Sequence, residues 1–381
     1  MLVLATMAAT VLLAAGMALT QPPQSGGPGH YIVVLDNSVS DPGQTANAMA
    51  QRHGLGVGFV YSHALDGFSA VIPNERVATV RADGRVDYVE RDKTMYAVAQ
   101  TLPWGINRVD ADISSTRAGN GSGSVSNVNA YIIDSGIYRH TDLNVVKHVN
   151  FTGDGQNTDC NGHGTHVAGT VAAKDNTSAV VGVAPGAPLT GLKVLGCNGS
   201  GVLSRILKGI DWVTANANEP AIANMSLAGP TSQTLDDAVR RSAGSGVFYS
   251  IAAGNDGAKA CNYSPARAGA GTNNGIMTTA ATNKSDGEPS YSNYGSCVDI
   301  WAPGGTREVP ILSSKKGGGT TTKWGTSQAA AHVGGGGALY LSSHAGAGSS
   351  SVESALKQAA KTTANKSKDG RSIAREYVSG F

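Results

Sequence analysis

The chain has 381 residues, enough to bury a full-sized core and to form two or three domains. Its 29 Lys and Arg against 27 Asp and Glu leave a net charge of +2, which excludes the electrostatic footprint expected for nucleic acid or an anionic membrane surface. Glycine is abundant, at 51 residues, as expected where tight turns and closely approached backbone build a loop-lined cleft.

Residues 1–19 carry no charged side chain and end near Gly16-Met17-Ala18, small residues that suit a signal-peptidase site. Residues 1–18 therefore read as a signal peptide and 19–29 as a polar leader. The start lacks Lys or Arg, so an uncleaved anchor stays open as the alternative. No later segment is apolar enough to span a bilayer.

Residues 30–97 read as a small α+β unit. Strands are expected over 30–35 (HYIVVL), 57–61, 68–72 and 86–90, with helices over 44–52 and 74–81, the second capped by Asn74. A polar linker over 91–101 follows, and the third segment, 98–381, has a different rhythm. Apolar strands at 130–134, 189–195, 221–227, 247–253 and 276–281 alternate with helices at 163–173, 202–217 and 235–243 and with helices after Ser327 and Ser351. Continuous apolar strands between amphipathic helices specify a doubly wound α/β fold, a parallel sheet covered on both faces. The crevice of such a sheet lies at the carboxyl ends of its strands. Asp134, Ser226 and Asn255 stand at or just past such ends.

Three segments carry chemistry: Ile132-Ile133-Asp134-Ser135-Gly136 at a strand end, Asn161-Gly162-His163-Gly164-Thr165-His166 where a helix begins, and Gly325-Thr326-Ser327-Gln328-Ala329 where another begins. A serine at a helix N-terminus can use the helix to stabilise developing negative charge. The four cysteines, Cys160, Cys197, Cys261 and Cys297, lack Cys-x-x-Cys spacing. In an exported chain they read as two disulfides with three possible pairings. His166 lies three residues past His163 without the HExxH pattern of a zinc site and reads as structural.

With NGHGTHVAGT (161–170), CNGSG (197–201), NMSL (224–227), AAGN (252–255), CNYSPAR (261–267) and SNYGSCVD (292–299), these segments resemble the subtilase family, in its proteinase K and aqualysin branch. The chain order Asp, His, Ser is that of the family. The resemblance implies a secreted serine endopeptidase with Asp134, His163 and Ser327 as triad and Asn255 as oxyanion donor. It also implies Ser226, Leu227, Ala228 and Gly229 as the edge that pairs with an extended peptide, and Ala252, Ala253 and Gly254 as a wall of the pocket before the scissile bond. These small walls suit broad specificity with an apolar or aromatic preference. The resemblance further implies an inhibitory, ferredoxin-like propeptide at 30–97, self-processing near Tyr96 to Ala99, and a monomer acting on protein or peptide substrates with no catalytic cofactor. It implies the pairs Cys160–Cys197 and Cys261–Cys297, and Asp299 as a ligand of structural calcium with main-chain carbonyls after Pro265.

The chain departs from the family at Gln328 (usually Met), Ala331 (usually Pro), Ala228 (usually Gly) and the run Gly334 to Gly337 in the helix after the nucleophile. Each helical glycine costs about 0.8 to 1 kcal/mol relative to alanine, so the run is expected to weaken that helix.

Overall fold

A computed structural model describes residues 28–92, 100–271 and 273–381. The signal peptide, most of the leader and the expected processing segment lie outside these residues. The chain divides into two compact units, 1–97 and 98–381.

The first unit runs β1 (Gly29–Leu35), α1 (Pro42–His53), β2 (Gly56–Ser62), β3 (Asp66–Ile72), α2 (Val77–Arg81) and β4 (Val86–Arg91). Its antiparallel sheet has the order β2-β3-β1-β4. This is the expected ferredoxin-like arrangement. The local signals for α1 are plain: Asp41 Oδ1 accepts from Gln44 N–H at 2.9 Å, Pro42 opens the helix, and Gly54 closes it at φ 67°. Asn74 does not cap a long second helix, because residues 74–76 form a 3-10 turn after Pro73 and α2 starts only at Val77. Val33, Met49, Phe68, Ile72 and Val80 form the unit's fully buried centre. Each such side chain contributes about 1.5 to 3 kcal/mol.

The second unit opens with α3 (Trp104–Arg108) and then runs β5 (Asn129–Asp134), β6 (Val145–Asn150), α4 (His163–Ala172), β7 (Leu189–Lys193), α5 (Leu203–Asn216) and β8 (Ala221–Met225). It continues with β9 (Gly229–Pro230), α6 (Gln233–Gly244), β10 (Phe248–Ala252), β11 (Tyr263–Ser264), β12 (Ile276–Thr282) and β13 (Ile300–Pro303). The hairpin β14 (Ile311–Ser314) and β15 (Thr320–Lys323) precedes α7 (Thr326–Ser343), α8 (Ser349–Ala359), β16 (Lys361–Lys366) and β17 (Ser372–Arg375). The main sheet has the order β16-β17-β13-β12-β10-β8-β5-β7-β6 and is parallel except for the β16 edge. Successive β5 side chains serve opposite faces: Ala130 and Ile132 join the cluster that includes Val167, Val171 and Val333, while Tyr131 and Ile133 join Ile206, Ile210 and Val239. Burial on both faces is why the strand reads as continuously apolar.

The structure pairs Cys160 with Cys197 and Cys261 with Cys297. The first bridge ties the loop before α4 to the turn after β7. In the chain-entropy account, bridges spanning 37 and 36 residues each contribute about 3 to 4 kcal/mol.

The glycine run does not act as a simple loss of helix propensity. A Cβ at Gly335 would lie 2.6 Å from Val183 Cβ, one at Gly337 2.6 and 2.7 Å from the Phe248 ring, and one at Gly336 2.3 Å from Glu376 Oε1. Only Gly334 is roomier, with its nearest neighbour, Asn224 Oδ1, at 3.4 Å. Three of the four glycines thus make space that neighbouring side chains fill. Gly334→Ala should change stability by less than about 1 kcal/mol, whereas Gly335→Ala and Gly337→Ala should each destabilise by about 1 to 3 kcal/mol. Urea unfolding of the three variants checks this; equal stabilisation by all three would contradict the packing account.

Candidate active site

Asp134 ends β5 in the crevice and is fully buried. His163 opens α4, with Nδ1 at 2.8 and 2.9 Å from the two Asp134 oxygens. The helix comes this close because residue 164 has no side chain: a Cβ at Gly164 would lie 2.1 Å from the Gly136 carbonyl oxygen. Asp159 organises the approach, accepting hydrogen bonds from the N–H groups of Asn161, Gly162 and Thr165 and from the Ser135 and Thr165 hydroxyls. Its place two residues before the conspicuous Asn161-Gly162-His163 gave no sequence signal beyond a turn acid. Burial by itself lowers the His163 pKa, but the adjacent Asp134 carboxylate outweighs it and holds the imidazole above its ordinary value.

Ser327 is the second residue of α7, in the first turn whose N–H groups have no intrahelical partner. Its hydroxyl donates to the Ser226 carbonyl at 3.2 Å, and the Ser226 hydroxyl donates back to the Ser327 carbonyl at 2.8 Å. Asn224 Nδ2 holds the Ser226 hydroxyl in turn, at 2.8 Å. Asn255 is oriented by Thr326: its Oδ1 accepts from the Thr326 N–H and hydroxyl, both at 2.9 Å. Because the carbonyl oxygen must face these donors, the NH₂ group is directed away from them. Asn293, fully buried, donates to the Ala253 carbonyl and accepts from the Asp256 and Ala258 N–H groups, stapling the wall that Ala252, Ala253 and Gly254 begin. It lies inside the SNYGSCVD segment, where no sequence feature separated it from its neighbours.

Two adjoining hollows share the Ser226–Ala228 edge. The smaller, about 250 Å³, is lined by Ala252, Gly254, Asn255, Asp256 and Ser327. The larger, about 680 Å³, holds His163 and has Leu195, Ile206 and Leu235 among its walls, with Gly229 at its edge. Ala228 is exposed and borders both. Lys323, at the end of β15, also lines the larger hollow, and its positive charge opposes protonation of His163. His166 faces away from the cleft: Nε2 lies 3.1 Å from the Ile311 carbonyl and Nδ1 3.4 Å from Gln328 Nε2. Burial pushes it down to about 3, so it is neutral, and Gln328 supplies a donor to its second nitrogen. Ala331 is packed in the core of α7, and nothing in the structure explains alanine there.

Asp299 stands apart from the cleft, and calcium does not fit the residues around it. Lys357 Nζ lies 2.8 Å from its Oδ1, and Oδ2 accepts from Thr278 N–H at 2.8 Å. Of the carbonyls after Pro265, two are also engaged, Ala266 by the Thr278 hydroxyl and Ala268 by Asn274 and Arg240. The groups that engage Asp299 thus do not fit the ligand role that the resemblance implies for it. Asp154, Cys160 and Cys197 also cluster, but both sulfurs are consumed in the disulfide and Asp154 faces Lys193 Nζ at 3.2 Å. That group does not fit a metal either.

Comparison with known proteins agrees with this architecture. The "Subtilase family" profile matches residues 126–380 and the "Peptidase inhibitor I9" profile residues 30–97. The chain belongs to the subtilase family. It is 38% identical over 283 residues to alkaline serine exoprotease A of Vibrio alginolyticus, covering 68% of this chain and 49% of that protein. It is 39% identical over 315 residues to an extracellular serine proteinase of Thermus sp. (strain Rt41A), covering 73% and 72%. The chain thus spans about half the length of the Vibrio relative. A crystal structure of a cold-adapted subtilisin-like serine proteinase superposes with a TM-score of 0.64 at 38% identity, covering 72% of this chain and 97% of that one.

Proposed function

We propose that the chain is a secreted serine endopeptidase made as a zymogen, with Asp134, His163 and Ser327 as its triad and residues 98–381 as the catalytic domain. The observation that carries the reading is the Asp134–His163 pair, with Nδ1 at 2.8 Å, set in the same crevice as a serine at a helix N-terminus and a pre-oriented asparagine amide. The His163 Nε2 takes the Ser327 proton as Oγ attacks the peptide carbonyl. The resulting oxyanion is held by the Asn255 NH₂ and the Ser327 N–H. His163 then returns the proton to the leaving amine as the C–N bond breaks, and water, activated in the same way, hydrolyses the acyl-enzyme. Asp134 keeps the imidazole in the required tautomer and stabilises its charged form.

Ser226, Leu227, Ala228 and Gly229 form the edge along which an extended substrate adds as a strand. The small hollow takes the residue before the scissile bond, and the larger one takes residues further upstream, where its walls of Leu195, Ile206 and Leu235 support an apolar or aromatic preference within a broad specificity. Residues 30–97, as an inhibitor-type unit, serve as the intramolecular inhibitor. Export is supported by residues 1–18, by the two disulfides and by the word "extracellular" in the Thermus relative's name. No helix among the described residues is long and apolar enough to cross a membrane. The enzyme acts as a monomer, and its catalysis uses no cofactor.

Incubation with casein and with a serine-directed phosphonate tests the reading. Casein should be cut and the phosphonate should label the peptide bearing Ser327. Intact casein together with an unlabelled Ser327 would refute it. A finer result concerns Lys323: Lys323→Gln should move the acid limb of the kcat/KM profile to higher pH, because a cation opposing His163 protonation is gone. An unmoved limb at low salt would show that this charge does not reach the imidazole.

A further inference from the structure

The corner where α8 meets β12 and β13 holds two buried carboxylates and one ammonium ion. Glu353 is fully buried, and its Oε2 accepts from the Asn274 and Gly275 N–H groups, both at 2.7 Å. Asp299, whose side chain is 8% exposed, accepts from Thr278 N–H. Between them, in the last turn of α8, Lys357 Nζ lies 2.8 Å from Asp299 Oδ1 and 2.5 Å from Glu353 Oε1. Two carboxylates sharing a largely buried corner repel each other and are stabilised by a cation between them. A lysine in a helix's last turn is also favoured by the helix dipole. Part of the neighbouring backbone is already taken by protein donors. The Ala266 and Ala268 carbonyls are turned to protein donors, and Gly269 packs so closely that a Cβ there would lie 2.9 Å from Asp299 Oδ2.

We infer that Lys357 is the resident cation of this corner: its ammonium takes the place that the family resemblance gives to calcium, and so pins α8 to the start of β13 without a metal. Two consequences follow. In the native chain, Asp299 gives no calcium-dependent stability. Without Lys357, the two carboxylates stand unpaired, and a hard divalent cation becomes the ion that best restores them.

Thermal unfolding of the full chain, carrying Ser327→Ala to suppress self-digestion, tests this in EDTA and in calcium chloride. The rise in Tm on adding calcium, from whatever sites the fold holds elsewhere, should be the same with and without Asp299→Asn. Lys357→Ala should unfold roughly 4 to 10 °C lower in EDTA and recover part of that loss in calcium. Lys357→Arg, which keeps the charge, should not gain this calcium response. A calcium response several degrees larger in the parent than in Asp299→Asn would overturn the inference, as would a Lys357→Ala chain that unfolds with the parent in EDTA. If Lys357→Ala does not fold, the comparison of the parent with Asp299→Asn decides alone.

Discussion

Ser327→Ala should leave the precursor uncut, with residues 30–97 still joined to the catalytic unit, while the unmutated chain made beside it is processed near Tyr96 to Ala99. Cleavage by the chain itself needs the acyl-enzyme route, and that route begins at the Ser327 hydroxyl. In subtilisin, removing the corresponding serine costs about 2 × 10⁶ in kcat, and what is left over water, about 10³ to 10⁴, comes from the oxyanion donors and binding. Such a residue of activity is too slow to mature a chain during expression. The structure supports treating the variant as a clean deletion. Among the described residues Ser327 Oγ makes one hydrogen bond, to the Ser226 carbonyl, while the Asn255–Thr326 and Ser226–Ser327 backbone links do not depend on it. Intact mass of both proteins, made in a protease-deficient host, measures the outcome. Equal processed masses would assign maturation to another protease and leave the triad to be judged by the casein assay.

The candidate site was legible in the sequence because its segments are local. Asp134, His163 and Ser327 each sit in a short segment whose neighbours have a reason to be there: a buried strand before the acid, glycines where α4 must approach β5, a helix start at the serine. The parallel core strands were legible for the same reason, since burial on both faces writes an unbroken apolar run. The main-sheet strands that escaped notice, β6, β13, β16 and β17, are edge, short or polar, as in Lys361–Lys366 (KTTANK), and outside that sheet the short β9, β11, β14 and β15 escaped as well.

What sequence could not supply was the company each residue keeps at long range. Asp299 was expected as a metal ligand on the family resemblance, and nothing local pointed to Lys357, which lies 58 positions away (357 − 299) on α8 and pairs with it. The run Gly334 to Gly337 looked like weakness because Val183, Phe248 and Glu376, which fill its spaces, come from three separate elements or loops. Asn293 and Asp159, which hold the site in shape, were ordinary polar residues until their hydrogen bonds placed them. In each case local propensity was read correctly, and the tertiary environment decided its meaning.

Glu376→Gln should flatten a fall in stability that the parent chain shows between about pH 5 and pH 8. Glu376 follows β17 with its side chain fully buried against Gly336 of α7, and neither carboxyl oxygen has a hydrogen-bond partner among the described residues. Burial pushes its carboxyl up to about 8, against the weaker pull of Arg375, whose guanidinium is turned to the Arg108 and Glu376 carbonyls and to Asp286. The unfolded carboxyl titrates near 4.5, so between 4.5 and 8 the folded chain holds a proton that the unfolded chain has lost. Raising the pH through that window therefore favours unfolding, and the loss is complete above the folded pKa. A shift of this size corresponds to at most a few kcal/mol, since each pH unit of difference is worth about 1.4 kcal/mol. The amide introduced by the substitution would carry its own desolvation cost, but a constant one. What distinguishes the two chains is thus the slope against pH and not the offset. Urea unfolding of both proteins at intervals from pH 4 to pH 9, in the Ser327→Ala background, gives that slope. The variant should gain on the parent steadily from pH 5 to 8 and hold a fixed difference beyond, whereas parallel profiles would mean that the buried carboxyl does not titrate in this range.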